Sequence, residues 1–144
     1  GYRSSHNRNL GINMIMITAL YASMLGFIYI KLSKNIIRLR RKYNVTLGHK
    51  KHADLEQAIR GHANFSEFVP LGLILLACLE INNVHYFVVL SLGGLFFLGR
   101  VFHAKSFLKE KIDKSLRVKG MQFTFWSIML MSGINIFSIL VSFI

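Results

Sequence analysis

Four long apolar runs are the feature that most constrains the fold of this chain. They cover residues 12–30, 65–81, 84–98 and 121–144, with few polar interruptions. With its flanking turns, each run approaches or exceeds the roughly 17 to 25 residues that cross a hydrocarbon core as an α-helix. Hydrophobic residues make up 53% of the 144 residues, which is more apolar surface than one small core can bury. The sequence therefore predicts an all-α membrane protein with four transmembrane helices.

The segment before the first run, residues 1–13, is polar and irregular and does not begin with Met. We interpret it as a cloning remnant or a disordered N-terminus, with Met14 as the natural start. The rest of the chain contains no Gly-rich phosphate loop, low-complexity tract or convincing internal repeat. Residues 14–144 are therefore predicted to form a single domain.

Basic residues are concentrated in two of the segments between the runs. Nine Lys or Arg lie in residues 31–60 and seven in residues 100–119, whereas residues 80–85 contain none. By the positive-inside rule, both basic segments face the cytoplasm and contact anionic lipid headgroups. They lack the interleaved aromatic residues of single-stranded nucleic-acid sites, so we expect no nucleic-acid partner.

Cysteine and histidine usage argues against metal chemistry. The lone Cys78 excludes an internal disulfide and a thiolate cluster, and it is interpreted as a small buried hydrophobe. His49, His52 and His62 have no carboxylate or Cys at a convincing ligand spacing. We therefore expect no metal site.

A polar stripe enters the second apolar run. Gln57, Arg60, Asn64 and Glu67 are spaced by 3, 4 and 3 residues, so they share one helix face. Asp54, three residues before Gln57, is expected to be the N-cap of this helix.

Ionisable groups inside a bilayer cost a few kcal/mol unless they are paired or line a wet cavity. Two interpretations of the stripe follow. Its residues pair with each other or with neighbouring helices and hold the bundle together, or they line a recess for a zwitterionic ligand that bears a carboxylate. In the second case Arg60 binds the carboxylate, Asn64 offers an amide and Glu67 meets an ammonium group. Pro70, one turn further on, is a packing kink that can also open such a recess.

The third run supplies a second polar set at its basic end. Arg100 and His103 are three residues apart, so they lie on one face, at the depth of Arg60 and Asn64. Each is either an interfacial anchor or part of the same recess.

These residues resemble the MAPEG family, the membrane-associated proteins in eicosanoid and glutathione metabolism, and are most similar to its bacterial branch and to microsomal glutathione S-transferase. The most specific match is the second-helix pattern Glu-Arg-x-x-Arg-Ala-x-x-Asn-x-x-Glu, which here reads Glu56-Gln57-x-x-Arg60-Gly61-x-x-Asn64-x-x-Glu67, followed by Pro70. Supporting matches are the segment RLRRKYNV after the first helix, similar to leukotriene-C synthase, and Arg100-x-x-His103, similar to prostaglandin E synthase.

The resemblance implies an antiparallel four-helix bundle in the bacterial inner membrane, assembled as a homotrimer. It implies a glutathione site between adjacent subunits, near the cytoplasmic side, with glutathione as co-substrate. The residues carried over to that site are Arg60, Asn64, Glu67, Arg100 and His103, with Arg40 or Arg41 from the first helix of a neighbouring subunit.

The resemblance also implies a catalytic arginine at the start of the fourth helix. Arg117 is the nearest candidate, although the register could shift toward Lys114. A cation beside the glutathione thiol stabilises its thiolate, which then attacks a lipophilic electrophile or a hydroperoxide.

Three departures from the family pattern bear on activity. Gln57 replaces the usual arginine, and Phe107 replaces a tyrosine. Ala63 has only a methyl group at a position where the prostaglandin enzyme has another arginine. They favour a generic glutathione transferase or peroxidase over a dedicated eicosanoid synthase. The alternative is a trimeric membrane scaffold that has kept the polar stripe without the chemistry.

Overall fold

The computed structural model describes residues 15–144 and contains four α-helices and no strands in that range. The helices are α1 (Met16–Tyr43), α2 (Ala53–Ile81), α3 (Tyr86–Leu108) and α4 (Lys114–Ser142). Each is long and apolar enough to cross a membrane, so the predicted all-α, four-helix membrane fold is confirmed. The expectation for residues 1–13 lies outside the described residues.

Consecutive helices run antiparallel because the loops between them are too short to carry the chain back along the length of a helix. The start of α1 lies beside the end of α2, where Thr18 meets Glu80, and the end of α1 lies beside the start of α2, where Tyr43 meets Asp54. The most extensive packing is between α3 and α4, whereas α1 and α4 do not touch in the described part of the chain. The bundle is therefore open along the edge between its first and last helices.

All four helices extend beyond their apolar runs at the same end of the bundle, the end that carries the basic segments. α1 continues 13 residues past Ile30 and α3 continues 10 past Leu98, while α2 begins 12 residues before Phe65 and α4 seven before Met121. Hydropathy marks the depth of lipid, whereas backbone hydrogen bonding continues through the headgroup region. The polar residues of the candidate site lie on or near these extensions.

The start of α2 differs from the sequence-based expectation. The helix begins at Ala53 with His52 at the N-cap position, so the prediction that Asp54 is the N-cap is wrong. The His52 ring stacks on Tyr43 with ring centroids 3.7 Å apart, and the Tyr43 hydroxyl donates to Asp54 at 2.7 Å. These contacts engage the Asp54 carboxylate with the end of α1. The helix begins one residue before Asp54, so Asp54 lies within its first turn.

At the opposite end of the bundle, the Glu80 carboxylate from α2 caps the first turn of α1. Its two oxygens accept hydrogen bonds from the backbone amides of Ile17 and Thr18 and from the Thr18 hydroxyl, each at 2.8 Å. These amides have no partner within the helix, and a carboxylate also interacts favourably with the positive end of the helix dipole. The contact secures the end of α1 against α2.

Glycines set the close approach of α3 and α4. A Cβ built on Gly120 would lie 2.6 Å from the His103 backbone nitrogen and 2.8 Å from the Gly99 carbonyl oxygen. A Cβ on Gly99 would lie 2.9 Å from the Gly120 oxygen and from the Thr124 nitrogen. Small residues at such crossings let two helix backbones meet closely in a membrane. The side chains of Arg100, His103 and Thr124 are positioned by this crossing.

We expect Gly120→Ala to lower the thermal unfolding midpoint of the detergent-solubilised protein, because the new methyl group collides with backbone atoms of α3. Overpacking of this kind costs about 1–3 kcal/mol. Gly133→Ala, on the same helix, is the matched control, since a Cβ built on Gly133 meets nothing within 4 Å. Equal midpoints for the two variants would contradict the close crossing.

Candidate functional site

A polar cavity of about 210 Å³ lies between α2, α3 and the first turn of α4, at the basic end of the bundle. Five of the residues predicted for the site line it together. The lining residues are Arg60, Ala63, Asn64, Glu67, His103, Phe107 and Arg117. The stripe on α2 therefore shares one face, as predicted, and that face meets the polar end of α3.

A second, outer compartment of about 380 Å³ adjoins this cavity and shares Arg60, Phe107 and Arg117 with it. Its other walls are Ala53, Glu56, Gln57 and Ile112. The outer compartment alone falls in the range of roughly 300–1,000 Å³ that is typical of small-molecule sites. Gln57, the first residue of the stripe, thus faces the outer compartment.

Arg60, Glu67 and Arg117, which line the polar cavity, have no oppositely charged partner among residues 15–144. Arg60, Glu67 and Arg117 are all exposed, and the single ion pair among residues 15–144 joins Lys109 to Asp113. Arg60 and Glu67 do not pair with each other. Glu67 lies two residues inside the apolar run that begins at Phe65. An uncompensated carboxylate inside an apolar run requires a ligand, water or a second protein surface.

Arg100 lies behind the cavity wall rather than in it. Its side chain is 0% exposed, and its Nη1 donates to Oδ1 of Asn64 at 2.7 Å. Its Nε and Nη2 donate to the Thr124 hydroxyl at 3.0 and 2.8 Å, and Nη2 also contacts the Met121 sulfur at 3.2 Å. Arg100 therefore links three helices and reaches the cavity through Asn64.

His103 and Phe107 form the α3 wall of the cavity. Both side chains are buried, and their ring centroids are 4.9 Å apart. The Phe107 ring packs against α2 at Gly61, where a Cβ would lie 2.8 Å from the Phe107 Cβ and Cγ atoms. The Arg117 guanidinium lies 5.9 Å from the centroid of the same ring, within cation–π range. Phe107 thus gives a cationic side chain an aromatic support.

The start of α4 distinguishes the two candidate cations. Asp113 is the N-cap and accepts a hydrogen bond from the Leu116 amide at 3.1 Å, which sets the helix register. Hydrogen bonding from Lys109 holds the pKa of the Asp113 carboxyl below its usual value. In this register Arg117 lines both compartments, whereas Lys114 lines neither.

The two arginines predicted from the first helix are not part of the cavity of their own chain. Arg40 donates from Nη1 to the Gly48 carbonyl at 2.8 Å, within the loop after α1, and Arg41 is exposed. Their predicted role was in the site of a neighbouring subunit, so it stays a prediction. His62 faces α1, with Nε2 3.0 Å from the Ser33 hydroxyl and its ring stacked on Tyr29.

Sequence reasoning missed Thr124, whose hydroxyl accepts two hydrogen bonds from Arg100 and donates one to the Gly120 carbonyl at 2.8 Å. A signal was present in the sequence. Gly120, Thr124 and Ser127 are small residues at spacings of four and three, on one face of an otherwise bulky helix. In membranes, such a face packs against another helix.

Comparisons with known proteins agree with the resemblance. The profile of the MAPEG family matches residues 18–137. The inner membrane protein YecN of Escherichia coli K12 is 31% identical over 121 residues, which cover 84% of this chain and 91% of YecN. YecN of Escherichia coli O6:H1 matches to the same extent.

We expect the cavity to be wet. In a Cys78→Ser background, a cysteine placed by Ala63→Cys should react with a water-soluble maleimide, because Ala63 lines the cavity. The matched control on the same helix is Ala58→Cys, whose site is buried at 4% exposure and should react far more slowly. Mass spectrometry of the labelled protein measures both rates, and equal slow labelling would show that the cavity is dry.

Proposed function

The chain belongs to the MAPEG family of membrane proteins, and we propose that it is an integral membrane glutathione transferase. The observation that carries the proposal is the convergence of Arg60, Glu67 and Arg117 on one cavity without an ion pair among them. Charges exposed on a membrane bundle with no partner are unfavourable where they meet lipid, so a site of this kind is suited to a ligand of matching charge.

Glutathione matches these groups in charge and chemistry. Its carboxylates suit the guanidinium groups of Arg60 and Arg117, because a planar guanidinium can bind a carboxylate through two hydrogen bonds. Its ammonium group suits the Glu67 carboxylate. The outer compartment, with Glu56 and Gln57 in its wall, provides room for the rest of the tripeptide.

Arg117 is the residue that we assign to thiolate stabilisation. A free thiol has a pKa near ~8.5, and a nearby cation lowers it by about 1–3 units, which raises the reactive fraction at neutral pH. In conjugation, the thiolate sulfur forms a bond to an electrophilic carbon, and the leaving group departs with the electron pair of the broken bond. The thiol proton is released to water. No nucleophile from the protein is required.

A lipid hydroperoxide is the second substrate class for the same thiolate. The sulfur attacks the terminal oxygen, the O–O bond breaks, and the alkoxide takes a proton and leaves as an alcohol. The resulting sulfenic acid of glutathione condenses with a second glutathione to give the disulfide and water. Both substrates partition into the bilayer, which surrounds the bundle.

We further propose that copies of the chain assemble so that the open face of α2 is covered. Glu67 and Arg60 are exposed on that face, and hydrocarbon is a poor environment for either group. The family resemblance implies three copies, with Arg40 or Arg41 of a neighbour completing the site. The cleft opens at the basic end of the bundle, which the positive-inside rule assigns to the cytoplasm.

The first test is a mid-ultraviolet difference spectrum of detergent-purified protein mixed with glutathione. We expect thiolate absorbance with the wild type and about a tenfold smaller thiolate signal with Arg117→Ala, because the stabilising cation is lost. Lys114→Ala is the matched control, since it removes a cation of the same turn that does not line the cavity.

A folded protein that gives no thiolate signal at millimolar glutathione would overturn the transferase proposal. If Arg60→Ala and Glu67→Gln then abolish assembly, the scaffold alternative is supported instead. A signal lost in Lys114→Ala and kept in Arg117→Ala would transfer the catalytic role to Lys114.

Assembly has its own test. Light scattering of the protein in detergent, corrected for bound detergent, should give the mass of three 16.5 kDa chains. Glu67→Leu should keep that mass, because the carboxylate has no hydrogen-bonding partner within residues 15–144 and the new side chain suits an apolar interface. A monomeric wild type would contradict the proposal that another copy covers α2.

A further inference from the structure

The orientation of the Asn64 amide is determined by its neighbour Arg100. A guanidinium group has only donors, so the atom that lies 2.7 Å from Nη1 must be the acceptor Oδ1. The Nδ2 group is therefore turned the other way, and it makes no hydrogen bond within residues 15–144. Since Asn64 lines the cavity, the amide presents two N–H donors to a ligand.

Thr124 holds the Arg100 guanidinium in the position from which it orients the Asn64 amide. Its hydroxyl hydrogen is donated to the Gly120 carbonyl, so its oxygen can act only as an acceptor toward Nε and Nη2 of Arg100. Arg100 and Thr124 are both 0% exposed, so water does not compete for these groups. An Arg100 guanidinium held in this way directs Nη1 at Asn64.

Packing of α3 against α4 maintains the geometry. The Thr124 hydroxyl reaches Arg100 because the two helix backbones meet at Gly99 and Gly120 without intervening side chains. The chain of contacts therefore runs from the backbone of α4 through Thr124 and Arg100 to the Asn64 amide on α2. All three side chains lie on different helices.

We infer that Thr124 and Arg100 are positioning residues that hold the Asn64 amide as a hydrogen-bond donor, so that the ligand group bound there is a carboxylate or carbonyl oxygen. The inference rests on the proposed glutathione site, and it specifies the direction in which glutathione lies in that site. Glu67, three residues further along α2, presents only acceptors when ionised. Asn64 and Glu67 thus have opposite hydrogen-bonding polarity, and a zwitterionic ligand can satisfy both only with its carboxylate near Asn64 and its ammonium near Glu67.

Asn64→Asp tests the direction. The substitution keeps the shape of the side chain and an acceptor for Arg100, so the unfolding midpoint should be unchanged or higher. It replaces the donor with a second acceptor, so the affinity for glutathione, measured by calorimetry, should fall at least tenfold. Unchanged or tighter binding would show that Asn64 meets a donor such as the ammonium group, and would overturn the inference.

Thr124→Val and Thr124→Ser test the positioning role. Valine keeps the volume but lacks the hydroxyl oxygen that accepts two hydrogen bonds from Arg100, so glutathione affinity of the folded protein should fall about tenfold. Serine keeps the hydroxyl and should bind like the wild type. Combined with Asn64→Asp, Thr124→Val should cause little further loss of affinity, because both act on the same donor. Fully additive losses would contradict a positioning role.

A wild type that binds no glutathione would refute the proposed function and not the contact chain. In that case the series of contacts from Thr124 through Arg100 to Asn64 is tested without ligand. The measurement is the unfolding midpoint of Thr124→Val in the wild-type background and in an Asn64→Leu background. A smaller loss in the Asn64→Leu background supports the coupling of Thr124 to Asn64 through Arg100. Equal losses in the two backgrounds would overturn it.

Discussion

The hydrogen bonds around Arg100 are the interaction on which the rest of the site depends. Within a membrane-spanning bundle, a buried guanidinium group with unpaired donors would cost several kcal/mol. The oxygens that pair with it come from Thr124 on α4 and Asn64 on α2. Pairing the N–H donors of this one guanidinium group therefore sets the relative positions of three helices. The same arrangement brings His103 and Arg117 to the walls of one cavity.

Polar residues in this protein fall into two groups with different physical roles. Arg100, Thr124 and Ser127 are fully buried, and each has a hydrogen-bonding partner within the chain. The hydrogen bonds from Arg100 to Thr124 cross between helices and fit the interpretation that polar side chains hold the bundle together, whereas Ser127 bonds to the Thr124 carbonyl of its own helix. Arg60, Glu67 and Arg117 are exposed and form no ion pair with one another. These residues need a ligand or a neighbouring subunit as a partner, since hydrocarbon does not solvate charge.

Most of the fold and much of the site could be predicted from the sequence. The apolar runs identified all four helices, and the spacing of Arg60, Asn64 and Glu67 placed them correctly on one face. Helix ends were less predictable, because hydropathy reports lipid depth and not where backbone hydrogen bonding stops. Asp54 was wrongly expected to be an N-cap because its partner, the Tyr43 hydroxyl, belongs to another helix. Thr124 was missed for a similar reason, since its role depends on a residue 24 positions away.

The sequence by itself determined that four helices cross a membrane and which side chains share a face, because hydropathy and helical periodicity are properties of each segment alone. Family membership likewise follows from the order of residues. Only the tertiary structure decided that Arg100 lies behind the cavity while His103, three residues away on the same face, lines it. It also decided that Arg117 rather than Lys114 reaches the cleft. The physical reason is that the α3–α4 crossing at Gly99 and Gly120 sets which polar groups meet, and no single helix carries that information.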